Sequence, residues 1–241
     1  MSADRLRLFQ LVSPALPVGA FSYSEGLEAL VQSGRLADVA ALETWLLAEL
    51  ERGLLAIEAA ALPPLMAALR GWRAGAPGAE AELRELDGWL LAQREAAELR
   101  AQQRQMGRSL LQLMADLGWP LPAPARPGEA AADPTDGSRE GPGLGWPAAW
   151  AWAGVCLELT PLAVLEGYLY GWSANQISAA VRLVPLGPTV AQRLQLALAP
   201  RLAQRAVDLV ERDPRQLRGG GVGAGLAQLG HAELYSRLFR S

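Results

Sequence analysis

Asp38-Val39-Ala40-Ala41-Leu42-Glu43-Thr44-Trp45-Leu46-Leu47-Ala48-Glu49-Leu50-Glu51-Arg52-Gly53-Leu54-Leu55-Ala56-Ile57-Glu58-Ala59-Ala60-Ala61-Leu62-Pro63-Pro64 decides the fold class. Its apolar positions Leu42, Trp45, Leu46, Leu50, Leu54, Ile57 and Ala61 step by three and four, which puts them on one face of an α-helix. Asp38 stands where an N-cap belongs, its carboxylate able to accept from a backbone N–H of the first turn. Pro63-Pro64 is expected to break or kink the helix, because proline lacks the donor and its ring crowds the preceding turn.

The same punctuation recurs on both sides. Ser22 and Glu25 have capping-box spacing ahead of Leu27, Leu30 and Val31, and Gly34 supplies a stop. Leu65 to Trp72 reads as a short helix and Ala74 to Gly78 as a loop. A long helix is predicted from about Glu80 to Leu117, apolar on one stripe at each end and polar from Gln93 to Gln105. That polar middle is either a solvated face with charge pairs four apart or the lining of an internal or interfacial surface. Residues 120–147 lack periodicity and read as a flexible loop.

Beyond it, Trp146-Pro147 places proline in a first helical turn. Trp150, Trp152, Val155, Cys156 and Leu159 crowd the next helix on nearly all sides, the mark of a core helix. Thr160-Pro161 starts another. Ser173 with Gln176, and Thr189 with Gln192, repeat capping-box spacing around a rigid turn at Pro185-Leu186-Gly187-Pro188. Pro200 is expected to kink or restart its helix. Gly219 to Gly225 reads as a flexible tether, without the strand and Lys-Ser/Thr of a phosphate loop. No stretch alternates with period two. The chain is therefore read as all-α, a single globular bundle of roughly eight to ten helices in one domain over residues 1–241, ending in a flexible tail over 219–241.

Composition narrows the function. The 241 residues are 51% hydrophobic and 20% charged, enough for a sizeable core. The net charge of −3 gives no electrostatic case for nucleic acid. Basic residues number 22, all arginine. One cysteine, Cys156, excludes an intrachain disulfide framework, and with one histidine, His231, a soft metal site is not expected. Met1 to Gln10 has no apolar run or cleavage site, so no signal peptide is predicted. Ala148 to Trp172 is apolar but interrupted by Glu158, Pro161 and Glu166, which favours a buried helix pair over a membrane span. The chain reads as cytoplasmic.

Catalytic chemistry finds little purchase. Glu158 and Glu166 are carboxylates in apolar surroundings, where burial would raise their pKa; a helical enzyme built on one of them is one reading, helix-end or arginine-paired carboxylates the other. Cys156 reads as a small hydrophobe. Arg182, before the rigid turn, either anchors an acidic partner or caps its helix. The tail His231-Ala232-Glu233-Leu234-Tyr235-Ser236-Arg237-Leu238-Phe239-Arg240-Ser241 mixes aromatics, hydroxyls and arginine, the composition of a contact surface. Such an end is expected to dock, on its own chain or on a partner, with Tyr235, Arg237 and Phe239 as anchors.

Four segments together resemble UreF, the urease accessory family: Gly19-Ala20-Phe21-Ser22-Tyr23-Ser24-Glu25-Gly26-Leu27-Glu28; Gln105-Met106-Gly107-Arg108-Ser109-Leu110-Leu111; Asn175 through Ala179-Ala180-Val181-Arg182-Leu183-Val184-Pro185-Leu186-Gly187; and the tail from Tyr235. Pro188 departs from the glutamine the family pattern carries there. The resemblance implies an all-α protein without catalytic activity or cofactor of its own. It implies partners: the accessory protein UreD (UreH), the nickel-binding GTPase UreG, apo-urease and a second copy of the chain, with no nucleic acid and no membrane. It implies a role in regulating GTP-dependent nickel insertion into urease. On that reading Tyr235, Ser236, Arg237, Leu238, Phe239 and Arg240 clamp UreD, and Phe21, Tyr23, Glu25 and Arg182 meet UreG or a second copy. A generic helical scaffold unrelated to urease is the alternative.

Overall fold

The computed structural model describes residues 2–123, 143–219 and 222–240. They form ten α-helices and no strand: α1 (Ser2–Leu11), α2 (Leu27–Gln32), α3 (Val39–Arg52), α4 (Leu54–Arg73), α5 (Ala79–Ala92), α6 (Ala97–Asp116), α7 (Trp146–Cys156), α8 (Pro161–Leu183), α9 (Pro188–Leu209) and α10 (Val222–His231). Single 3-10 turns lie at Ala20–Ser22 and Pro214–Gln216. Most of the predicted loop at 120–147 lies outside the described residues.

α4 is the central helix, packed by α3, α5, α7, α8 and α9. It is long and apolar enough to cross a membrane, but 67% of that span is buried inside the bundle. It also runs straight through Pro63 and Pro64. The expected break is absent because Ala59, Ala60, Ala61, Leu62, Leu65 and Met66 are wholly enclosed by neighbouring helices, which hold the backbone where local hydrogen bonds are lost. The break falls at Gly53 instead. A Cβ there would sit 2.7 Å from the Glu49 carbonyl oxygen, so only glycine fits.

Local caps behave as the sequence reading predicts at Asp38, whose side chain accepts from the Ala41 N–H (2.9 Å), and at Thr160, which accepts from Ala163 (3.2 Å). Every residue of α7 from Pro147 to Cys156 is buried. Other expectations are corrected. Ser22 does not open a helix; Glu25 and Gly26 adopt positive φ and α2 starts at Leu27. Ser173 sits inside α8, its hydroxyl donating to the Leu169 carbonyl. α9 starts at Pro188, with Gly187 as cap, and passes through Pro200 because Leu198 and Leu202 on either side are buried. The predicted long helix is two, α5 and α6, and its polar middle is partly internal: Arg94, Gln102 and Gln103 are buried. The predicted glycine tether is α10 from Val222 onward. Finally, α1 is held by Leu8, which enters a notch over Gly167 on α8.

Candidate functional site

The chain reaches α2 through a turn at Gly19 (φ 72°), the 3-10 turn and two successive left-handed residues, Glu25 (φ 52°) and Gly26 (φ 87°). Gly26 is needed twice over: for its φ, and because a Cβ would stand 3.0 Å from the backbone nitrogen of Gln228 on α10. α10 therefore lies directly on α2. The register places Glu28, in the first turn of α2, beneath the C-terminal tail.

Glu28 is buried, accepts from the backbone N–H groups of Leu238 (2.7 Å) and Phe239 (3.0 Å) and the Gln32 amide (3.4 Å), and faces His231 Nε2 (3.2 Å). His231, wholly buried, turns Nδ1 to Glu98 Oε2 (3.0 Å), and Arg237 donates to Glu98 Oε1 (2.7 Å). A neutral imidazole donates to only one of these carboxylates; a doubly protonated ring donates to both. Gln32 also donates to the Ser236 carbonyl (3.1 Å), and the Arg240 N–H to the Ser22 carbonyl (2.8 Å). Arg182 closes the site. It donates to the Phe21 carbonyl (3.1 Å) and lies over the Phe239 ring at 4.5 Å, a cation–π distance.

The tail is thus docked on its own chain. Of the tail residues singled out from sequence, Phe239 is 4% exposed and anchors inward, whereas Tyr235, Ser236, Arg237, Leu238 and Arg240 face outward. Of the second set, Phe21 is 68% exposed and Arg182 is exposed, but Tyr23 is 6% exposed and Glu25 points inside. Arg182, in the last turn of α8, joins the two sets. Sequence reading missed Glu28, Gln32 and Glu98. Glu28 carried one signal, an acid beside Leu27 in the first turn of a helix.

A second polar centre lies deeper. Glu58 accepts from Arg94 Nε (3.0 Å) and NH2, and from the Tyr168 hydroxyl (2.9 Å). Burial raises the Glu58 pKa above the usual carboxylate range, with Arg94 opposing. Burial likewise lifts Glu49 to about 7, against the pull of Arg94 and with help from Glu25 and Glu58. Asp87 is lifted to about 6 by burial while it accepts from the Gly145 N–H (2.9 Å).

Among the described residues, the carboxylates considered for catalysis from the sequence lie apart. Glu158 is exposed and pairs with Arg7 (3.3 Å), while Glu166 lies on the wall of an apolar groove with Leu8, Phe9 and Tyr170. Burial pushes the Cys156 thiol up to about 12, leaving it inert. Both nitrogens of His231 face carboxylates, so neither is offered to a nucleophile. Among the described residues no group of three or more His, Cys, Asp or Glu is placed to hold a metal ion. The site's evident capacity is to hold polypeptide.

Comparison with known proteins gives a consistent result. The family model UreF matches residues 36–199. Urease accessory protein UreF of Prochlorococcus marinus (strain MIT 9301) is 34% identical over 243 aligned residues, covering 100% of both chains. That of Microcystis aeruginosa (strain NIES-843 / IAM M-2473) is 38% identical, covering 99% of this chain and 98% of the relative. That of Alkalilimnicola ehrlichii (strain ATCC BAA-1101 / DSM 17681 / MLHE-1) is 37% identical, covering 98% and 95%.

Proposed function

The chain belongs to the UreF family of urease accessory proteins, and from that premise we propose that it is a non-enzymatic adaptor in urease maturation. It binds UreD through its C-terminal tail, and the complex recruits UreG and apo-urease and regulates GTP-dependent nickel insertion. The chain acts in the cytoplasm, as one domain and as a homodimer.

The observation that supports this reading is the construction of the tail. One buried aromatic, Phe239, and a set of polar contacts hold it, while Tyr235 and Leu238 are turned outward. Exposed apolar side chains on a segment held by exchangeable hydrogen bonds suit a contact surface for a partner. Phe21 and Arg182, beside Phe239, extend that surface and are assigned to UreG or the second copy; Tyr23 and Glu25 shape it from within. The test is reconstitution of urease activation from apo-urease, UreD, UreG, nickel and GTP. Activation that requires this chain, with a ternary complex recovered by gel filtration, is the expected result. Activation of equal extent without the chain would refute the role.

A further inference from the structure

Behind the tail-binding turn is a cavity of about 50 Å3, enclosed by Glu25, Glu58, Gln103 and the indoles of Trp146, Trp150 and Trp172 among others. A single water needs roughly 10–15 Å3 of such space, so the cavity has room for a small ion. Its hydrogen-bonding character is one-sided. The Gln102 amide donates to Glu25 Oε1 (2.8 Å), Trp172 Nε1 to Glu25 Oε2 (3.1 Å), and the Tyr168 hydroxyl to Glu58 Oε2 (2.9 Å). Trp150 Nε1 is turned to the Val164 carbonyl (3.1 Å) and the Asn175 amide to the Tyr23 carbonyl (3.4 Å). These donors are already committed. What remains toward the cavity includes acceptors: second lone pairs of the two carboxylates, and Gln103 Oε1, which is buried without a partner on a side chain only 3% exposed.

Charge is one-sided too. Arg94 compensates Glu58. Arg94 is also drawn to Glu25, whose hydrogen bonds come from neutral donors, so one guanidinium faces two carboxylates. Glu25 also holds φ 52°, a left-handed conformation unfavourable for a non-glycine residue. That conformation aims its carboxylate inward, between Gln102 and Trp172. A water in the cavity would satisfy Gln103 but leave the charge. A cation carrying only donors answers both. Aromatic rings in the wall suit a soft ammonium better than a strongly hydrated metal ion, which would require more oxygen ligands than are present.

We propose that this cavity is an ammonium site, the ion donating to Glu25, Glu58 and Gln103 Oε1 with the three indoles around it. Three tryptophans in the wall provide the readout. The full-length chain, in sodium- and potassium-free buffer at constant ionic strength, is titrated with ammonium chloride against tetramethylammonium chloride, a cation too large to enter. Tryptophan emission and thermal midpoint are followed, and bound ammonium is observed directly with 15N-labelled ammonium by NMR. A saturable emission change and a raised midpoint with ammonium alone are expected. Gln103→Leu removes an unsatisfied acceptor, so it keeps the fold, and it should weaken the ammonium response at least about tenfold, the effect of losing one charge-assisted hydrogen bond. Glu25→Gln should do the same. Equal responses to the two salts, an undiminished response in Gln103→Leu, or tighter binding of potassium than of ammonium would overturn the assignment. So would the absence of any response, which would mean that water fills the cavity and a proton on Glu58 balances the charge.

Discussion

Two contacts in this molecule are made of opposite materials. Around α4 the helices meet through Ala59, Ala60, Ala61, Leu62 and Leu65, all fully enclosed. At the tail, α2, α6 and α10 meet the last residues through Glu28, Gln32, Glu98 and His231, with Arg237 of the tail, around one phenylalanine. The first contact gains its stability from apolar area removed from water, which no partner offers to replace. The second rests on hydrogen bonds whose net worth is small, because water or another chain supplies equivalents. On the proposed function the difference separates scaffold from working surface, a permanent bundle from an exchangeable tail.

Substitutions on the two sides should therefore fail differently. Leu62→Ala, which opens a void in the centre of α4, should cost about 2–5 kcal/mol and lower the midpoint of the single unfolding transition measured by circular dichroism. Glu28→Ala removes the acceptor of two tail N–H groups and the partner of a buried imidazole. It should destabilise the tail by about 1–3 kcal/mol, seen as loss of amide exchange protection at Leu238 and Phe239 with protection in α4 retained. A collapse of α4 protection in Glu28→Ala would erase the distinction between the regions.

The remaining predictions sharpen it. Glu49 has its pKa raised to about 7 from 4.5 by burial. Between those values the folded state binds more protons than the unfolded one, so stability is at its full value below about 4.5, where burying the group costs nothing, and is lost as pH rises through about 7. Glu49→Gln should thus stabilise the protein by about 1–2 kcal/mol at pH 8 and by nothing at pH 4, in paired denaturant titrations. Asp87, raised to about 6, adds a loss of the same sign over a lower pH window. The smallest effect is expected at Arg182. Its contact with Phe239 is worth about 0.5–1 kcal/mol, so Arg182→Ala should leave the midpoint nearly unchanged while lowering UreG capture in a pull-down. Unchanged capture would remove Arg182 from the surface.

What the sequence revealed divides along the same line. Asp38 and Thr160-Pro161 were legible because a cap is a contact across three residues, and the core character of α7 because its crowding is local. Pro63-Pro64 and Pro200 misled because burial by distant helices overrides local propensity. The division of α5 from α6 was hidden because Arg94 turns inward to meet Glu58, 36 residues away. The site residues named from the tail were visible as a contact composition. Their holder was not: Glu28 lies 210 residues from Leu238, and no periodicity encodes that pairing.

The most direct measurement is co-purification of UreD with the chain lacking residues 232–241. The account predicts a protein that keeps its helical circular dichroism, because α4 and its neighbours are intact, yet no longer retains UreD. Retention of UreD at the full-length level by a folded truncated chain would contradict the assignment of the tail as the partner-binding surface.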